Sequence, residues 1–198
     1  MKKIILGVLI LLGVWYFMTD KPVVKNVGRP VHTLVAFGDS LTAGYGGGGV
    51  SYPGVLAELT GLTVINEGLS GETAAHAPER LEQVLSHQAD MVLIEFGAND
   101  FMQGRSLEVA VAAVAQIVDA VQAQGAVAVI VDTGGPGMGL YTKAYKKLAQ
   151  EKQALFVSGI LKGIFNKKQY KSDMIHPNGA GYRLVAEHVY KEIKPYLK

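Results

Sequence analysis

The sequence has no cysteine. That excludes disulfides, a thiol nucleophile, thiolate-ligated metal and a lipidated cysteine anchor. It also has little net charge, with 19 basic residues against 17 acidic ones. The surplus is Lys2 and Lys3, so the remaining body is neutral and lacks the basic footprint of a nucleic-acid binder. The lysines crowded between residues 143 and 171 read as solvated helix faces. Charged residues are only 18% of the chain and apolar ones 49%, which excludes disorder. His32, His76, His87 and His188 show no metal-ligand spacing, and neither metal nor cofactor is expected. The 198 residues fit one domain.

Long hydrophobic runs are missing, with one exception at the start. Lys2-Lys3 precede Ile4–Met18, "IILGVLILLGVWYFM". A signal peptide would share the positive start and short apolar core, but "VWYFMTDKP" offers no small-residue cleavage site. Trp15 and Tyr16 suit a membrane interface. As a helix the run spans about 22 Å against a hydrocarbon core of roughly 30 Å, a gap that snorkelling or thinning can cover. Residues 1–18 therefore read as an uncleaved membrane anchor, with a cleaved signal as the alternative. Both place the body outside the cytoplasm, at the envelope or secreted, because the lysines stay inside. Residues 19–32, "TDKPVVKNVGRPVH", read as a tether, and residues 33–198 as the folded domain.

In that domain short apolar runs alternate with helical patterns. The runs are 33–37, 62–66, 91–96, 126–132 and 154–157; the helices fall near 52–60, 76–88, 106–124, 141–152 and 178–194. The runs are continuous in Val, Leu and Ile, as in strands covered on both faces. Repeated strand-helix units mean an α/β fold: a parallel sheet in a three-layer α/β/α sandwich. Ligands bind such sheets beyond the carboxyl ends of the strands.

Two readings compete for the stretch after the first strand, "GDSLTAGYGGGG". Gly44, Gly46 and Gly49 match a dinucleotide glycine fingerprint, with Glu67 placed to meet a ribose. Gly38–Ala43 intervene, however, and this reading leaves the remaining polar blocks idle. The nucleophile reading uses them. Ser40 just past the strand needs a base, and His176 is suited to that work near neutral pH. Asp173, three residues earlier, can fix the histidine tautomer. A tetrahedral oxyanion needs donors, and the Ser40 amide, the Gly68 amide and the Asn99 side chain are available. Asp39 and Asp100 read as turn braces, Ser70 as turn chemistry, Glu95 as a hydrogen-bonded structural acid, and Gly46–Gly49 as a flexible lip.

Gly38-Asp39-Ser40-Leu41, Gly68, Gly97-x-Asn99-Asp100 and Asp173-x-x-His176-Pro177 resemble the four blocks of the SGNH (GDSL) hydrolases. "GDSLTAGYG", "NEGLSGETAA" and "IHPNGAGY" are similar to the bacterial arylesterase, thioesterase I and lysophospholipase branch. The resemblance implies a flavodoxin-like five-stranded sheet of order 2-1-3-4-5. It also implies Ser40 as nucleophile, His176 as base, Asp173 as its partner, and Gly68 and Asn99 in the oxyanion hole. "GANDFMQG" departs from the pattern and implies altered substrate contact. Hydrolysis of lysophospholipid, aryl or short acyl esters through an acyl-enzyme is expected. The alternatives are an acetyl esterase or acetyltransferase on envelope glycan and a non-catalytic nucleotide- or glycan-binding module.

Overall fold

The computed structural model describes residues 23–198. The expected anchor, residues 1–18, and the start of the tether lie outside the described residues. Among the described residues no helix is long and apolar enough to cross a membrane.

Five parallel strands form one sheet in the order β2-β1-β3-β4-β5. They are β1 (Thr33–Gly38), β2 (Thr63–Gly68), β3 (Met91–Glu95), β4 (Val127–Val131) and β5 (Leu155–Val157). The helices are α1 (Ser40–Ala43), α2 (Tyr52–Thr60), α3 (Leu81–Ser86), α4 (Ala98–Met102), α5 (Leu107–Ala123), α6 (Gly139–Lys152) and α7 (Gly179–Ile193).

Strand alternation explains the continuous apolar runs. Val35, Phe37, Val92, Ile94, Ala128 and Ile130 face one layer, packed with α3, α5 and α6. Leu34, Ala36, Leu93, Val127 and Val129 face the other, packed with α2 and α7. Both sets are out of water, so these strands have no polar face. β2 departs from this expectation, since as an edge strand it keeps Thr63 and Asn66 exposed.

Local chemistry sets the helix limits. Ser51, Ser106 and Asn178 cap α2, α5 and α7 by accepting N–H bonds from Gly54, Val109 and Gly181. The run expected near 76–88 splits into a 3₁₀ turn over Ala77–Arg80 followed by α3. The short helices α1 and α4 were not expected.

The later part of the tether is a packed strap. Val24 and Val31 are buried. Asn26 Nδ2 donates to the Gln122 and Ala126 carbonyls at 2.9 Å each. Lys25 N–H bonds Gln153 O, and Arg29 bonds Gly125 O. Asp90 accepts the His32 and Thr33 amides. The folded body thus reaches back to residues 23–32, along the amino ends of the strands and opposite Ser40.

Candidate active site

β1 ends at Gly38, where nothing larger fits: a Cβ there would lie 2.6 Å from the Glu95 carbonyl. Asp39 then caps α1, its Oδ1 accepting the Leu41 N–H at 2.9 Å. Ser40 becomes the first residue of that helix, at the carboxyl edge of the sheet. In this geometry the aspartate of the Gly-Asp-Ser sequence is the brace expected of it.

His176 and Asp173 arrive from the loop before α7. Asp173 Oδ1 accepts the backbone N–H groups of Ile175 and His176, each at 2.8 Å. Its Oδ2 lies 2.7 Å from His176 Nδ1, and His176 Nε2 lies 3.0 Å from Ser40 Oγ. Desolvation alone would raise the Asp173 carboxyl, but the bonds from the His176 backbone and ring and from Ile175 N–H prevail and hold it at about 2. An anion there puts the ring proton on Nδ1 and leaves Nε2 to accept the Ser40 hydroxyl. Thus the three side chains proposed from sequence form one hydrogen-bonded line.

Sequence reasoning missed the support for this line. The Tyr45 ring packs against the imidazole with centroids 4.6 Å apart. Tyr182, fully buried on α7, donates its hydroxyl to Tyr45 O at 2.8 Å. The expected lip, Gly46–Gly49, is a tight turn against the same tyrosine: a Cβ on Gly47 would meet Tyr182 at 2.8 Å.

The expected oxyanion donors stand differently. Gly68 N–H already donates to Asn66 Oδ1 at 2.9 Å. Its missing side chain serves close packing on α1, since a Cβ would lie 2.6 Å from Thr42 C. The structure therefore does not aim Gly68 at the site. Asn99 is buried in the first turn of α4, and its Nδ2 donates to Asp39 Oδ2 at 3.0 Å and to the Glu72 carbonyl at 2.9 Å. Both partners are acceptors, which fixes the amide orientation and commits both hydrogens. Between these residues lies Gly71, which sequence reasoning passed over. It has φ +84°, and a Cβ there would meet nothing within 4 Å. Its N–H has no acceptor among the described residues. The Leu69 N–H bond to Gly38 O and the Glu72 bond to Asn99 suspend this loop beside Ser40.

Arg80 holds the same loop from outside. Its Nε and Nη2 bond the two oxygens of Glu72 at 2.9 and 2.5 Å, and it also meets Glu67. Glu67 further accepts from Gln83 and lies 2.7 Å from His87 Nε2. It is therefore tied up in a surface network, contrary to the ribose role weighed from sequence.

Ser40 and His176 open onto a cavity of about 200 Å³. Its walls include Leu41, Phe101, Met102, Met138, Leu161 and Phe165. Phe101 and Met102 come from "GANDFMQG", the stretch whose sequence departs from the family pattern. Asp132 fixes the opposite wall, accepting the Thr142 hydroxyl and the Gly159 N–H. Burial pushes its carboxyl up, against the lowering effect of these bonds.

Residues 36–184 match the model of the GDSL-like lipase/acylhydrolase family. An arylesterase of Vibrio mimicus is 30% identical over 178 residues, covering 83% of this chain and 89% of that protein. Thioesterase 1/protease 1/lysophospholipase L1 of Escherichia coli (strain K12) is 28% identical over 176 residues, covering 83% and 85%. The crystal structure of TesA superposes with a TM-score of 0.76 at 25% identity, over 83% of this chain and 99% of that one. Psychrotrophic esterase EstA from Pseudoalteromonas sp., inhibited by monoethylphosphonate, gives 0.74 at 27% identity, over 84% and 98%. The fold likeness and a sequence match running from β1 into α7 thus agree, and the chain belongs to the GDSL-like lipase/acylhydrolase family.

Proposed function

We propose that this protein is a serine ester hydrolase for esters with an apolar acyl or aryl group. The observation that carries this reading is the Asp173–His176–Ser40 line opening on an apolar cavity. Ser40 Oγ attacks the ester carbonyl as His176 Nε2 takes its proton. The Asp173 anion steadies the imidazolium. His176 then returns the proton to the leaving alkoxide, leaving acyl-Ser40. Water, deprotonated by the same nitrogen, releases the acid. The oxyanion is met by the Ser40 amide and the Asn99 side chain, with Gly71 N–H as the backbone donor in place of Gly68.

The apolar walls favour an acyl chain or aromatic ring over an acetylated glycan. The names of the relatives point the same way, to aryl and lysophospholipid esters. Residues 1–18 would hold the enzyme on the outer side of the cytoplasmic membrane, with the ester substrate reached from the envelope.

Turnover of p-nitrophenyl esters of increasing length tests the reading. Each methylene buried in the cavity is worth about 0.8 kcal/mol, so kcat/KM should rise by up to about fourfold per methylene until the cavity is full. A preference for acetate that declines with every added methylene would favour the acetyl esterase instead. Ser40→Ala should lower kcat by roughly 10⁴-fold or more while the melting curve is kept. A Ser40→Ala protein with near wild-type turnover would end the assignment.

A further inference from the structure

Beneath Ser40 lie two acids that take no part in the acyl transfer itself. Glu95 ends β3 directly across from Gly38 of β1, one residue before Asp39. It is fully buried. Its Oε2 accepts the Thr42 hydroxyl at 3.0 Å, and that hydroxyl is also 3.1 Å from Tyr52 OH. Its Oε1 has no donor. Asp39, equally buried, accepts Leu41 N–H on Oδ1 and Asn99 Nδ2 on Oδ2. The groups facing the pair are Thr42, Tyr52, Tyr145, Tyr182, Asp100 and His176. Among the described residues no lysine or arginine pairs with either acid.

Two adjacent buried carboxyls without a cation do not both ionise, so one keeps a proton. Asp39 already holds two N–H donors, which suit an anion. Glu95 takes the Thr42 hydroxyl and has the Asp39 backbone N–H beside it, but its Oε1 is without a partner and becomes satisfied if it is an O–H aimed at the Asp39 carboxylate. We propose that Glu95 is a positioning residue: as a neutral acid it donates a hydrogen bond to the Asp39 carboxylate, and this pair sets the Asn99 amide for the oxyanion. The proposal rests on the reading of Ser40 as nucleophile and Asn99 as oxyanion donor. Burial, followed by the charge of Asp39, pushes the Glu95 carboxyl well up. Burial also leads the rise of Asp39 to about 6, against the lowering bonds from Leu41 and Glu95.

The pair resolves a conflict in the site. Both Asn99 hydrogens are committed, one of them to Asp39. A full carboxylate charge would keep that hydrogen to itself. With Glu95 sharing the charge, Asp39 holds the amide in place yet lets a developing oxyanion compete for it.

Infrared spectra of the full chain in detergent at neutral pH test the proton directly. A protonated-carboxyl carbonyl band is expected, absent from Glu95→Gln and retained in Asp39→Asn. No such band in the wild type overturns the proposal. The kinetic arm asks whether a neutral donor is enough. Glu95→Gln places an amide N–H where the acid O–H stood, so kcat should stay within about threefold. Glu95→Ala leaves Asp39 without that donor, and kcat should fall roughly 10- to 100-fold with KM unchanged. A Glu95→Gln enzyme as slow as Glu95→Ala would overturn the proposal. If Glu95→Ala fails to fold, the infrared band and Glu95→Gln still decide. The infrared arm needs no turnover, so its result stands apart from the fate of the esterase reading.

Discussion

At the scale of the residue, hydrogen bonding and burial set the carboxyls of the site in opposite directions. Asp173 is 43% exposed, yet three hydrogen bonds keep it anionic. It does not titrate in the working range, so Asp173→Asn, which removes the anion that fixes the His176 tautomer, should lower kcat by roughly 10⁴-fold at every working pH; a near wild-type rate would contradict that role. Asp39 runs the other way, with its folded carboxyl raised to about 6, chiefly by burial. A raised acid contributes stability below its ordinary value near 4, and loses that contribution as pH climbs through about 6. Asn loses one of the two acceptors, so Asp39→Asn should lower kcat and should cost less melting temperature at pH 8, where the aspartate is charged, than at pH 4. Equal shifts at both pH values would show that the charge of Asp39 is not strained. Asn99→Ala removes a proposed oxyanion donor and should lower kcat by roughly 10²–10³ at nearly constant KM. A change in KM alone would return Asn99 to a purely structural role.

At the scale of the element, two segments outside regular structure do most of the positioning. The loop carrying Gly71 and Glu72 hangs between Gly38, Asn99 and the Arg80 fork. The strap holds the opposite edge of the sheet. Asn26 satisfies two carbonyls at the start of β4 and the end of α5. Asn26→Ala leaves those acceptors short of donors, at about 1–3 kcal/mol. Its urea midpoint should drop accordingly, while kcat on a soluble ester stays at the wild-type value, because the strap and Ser40 lie at opposite ends of β1. That separation is about 20 Å for six strand residues. Loss of kcat without loss of stability would mean the two ends are coupled.

At the scale of the whole molecule, the strap changes where the enzyme can be shortened. A soluble chain beginning at Val23 keeps Val24, Asn26 and Val31 in their contacts. It should match the full chain on small water-soluble esters, whereas one beginning at Arg29 should melt lower. If residues 1–18 anchor the chain as proposed, the full chain should need detergent, not salt, to leave membranes, because burial of an apolar run is hydrophobic. Mass spectrometry of the mature amino terminus decides the point. Soluble enzyme beginning after Met18 would reveal a cleaved signal peptide.

Much of the fold was legible in the sequence because strands buried on both faces must be apolar throughout; each apolar run became a strand, the edge strand β2 with one side partly exposed. The helices longer than two turns were legible from their period. Helices α1 and α4, of four and five residues, are too short to show one. The hydrogen-bonded line of Ser40, His176 and Asp173 was legible because a nucleophile, a base and its acid partner call for those residue types, and a three-residue spacing brings acid and imidazole together. The choice between Gly68 and Gly71 was not, since spacing cannot say which amide is already bonded. Nor was the strap, whose polar composition suits a free tether until Asn26 meets carbonyls 96 and 100 residues away. The sequence by itself determined which residues can do the chemistry and how the layers stack. Only the tertiary structure decided which donors are spoken for, and which buried acid must keep its proton, because both depend on neighbours that the chain brings together only on folding.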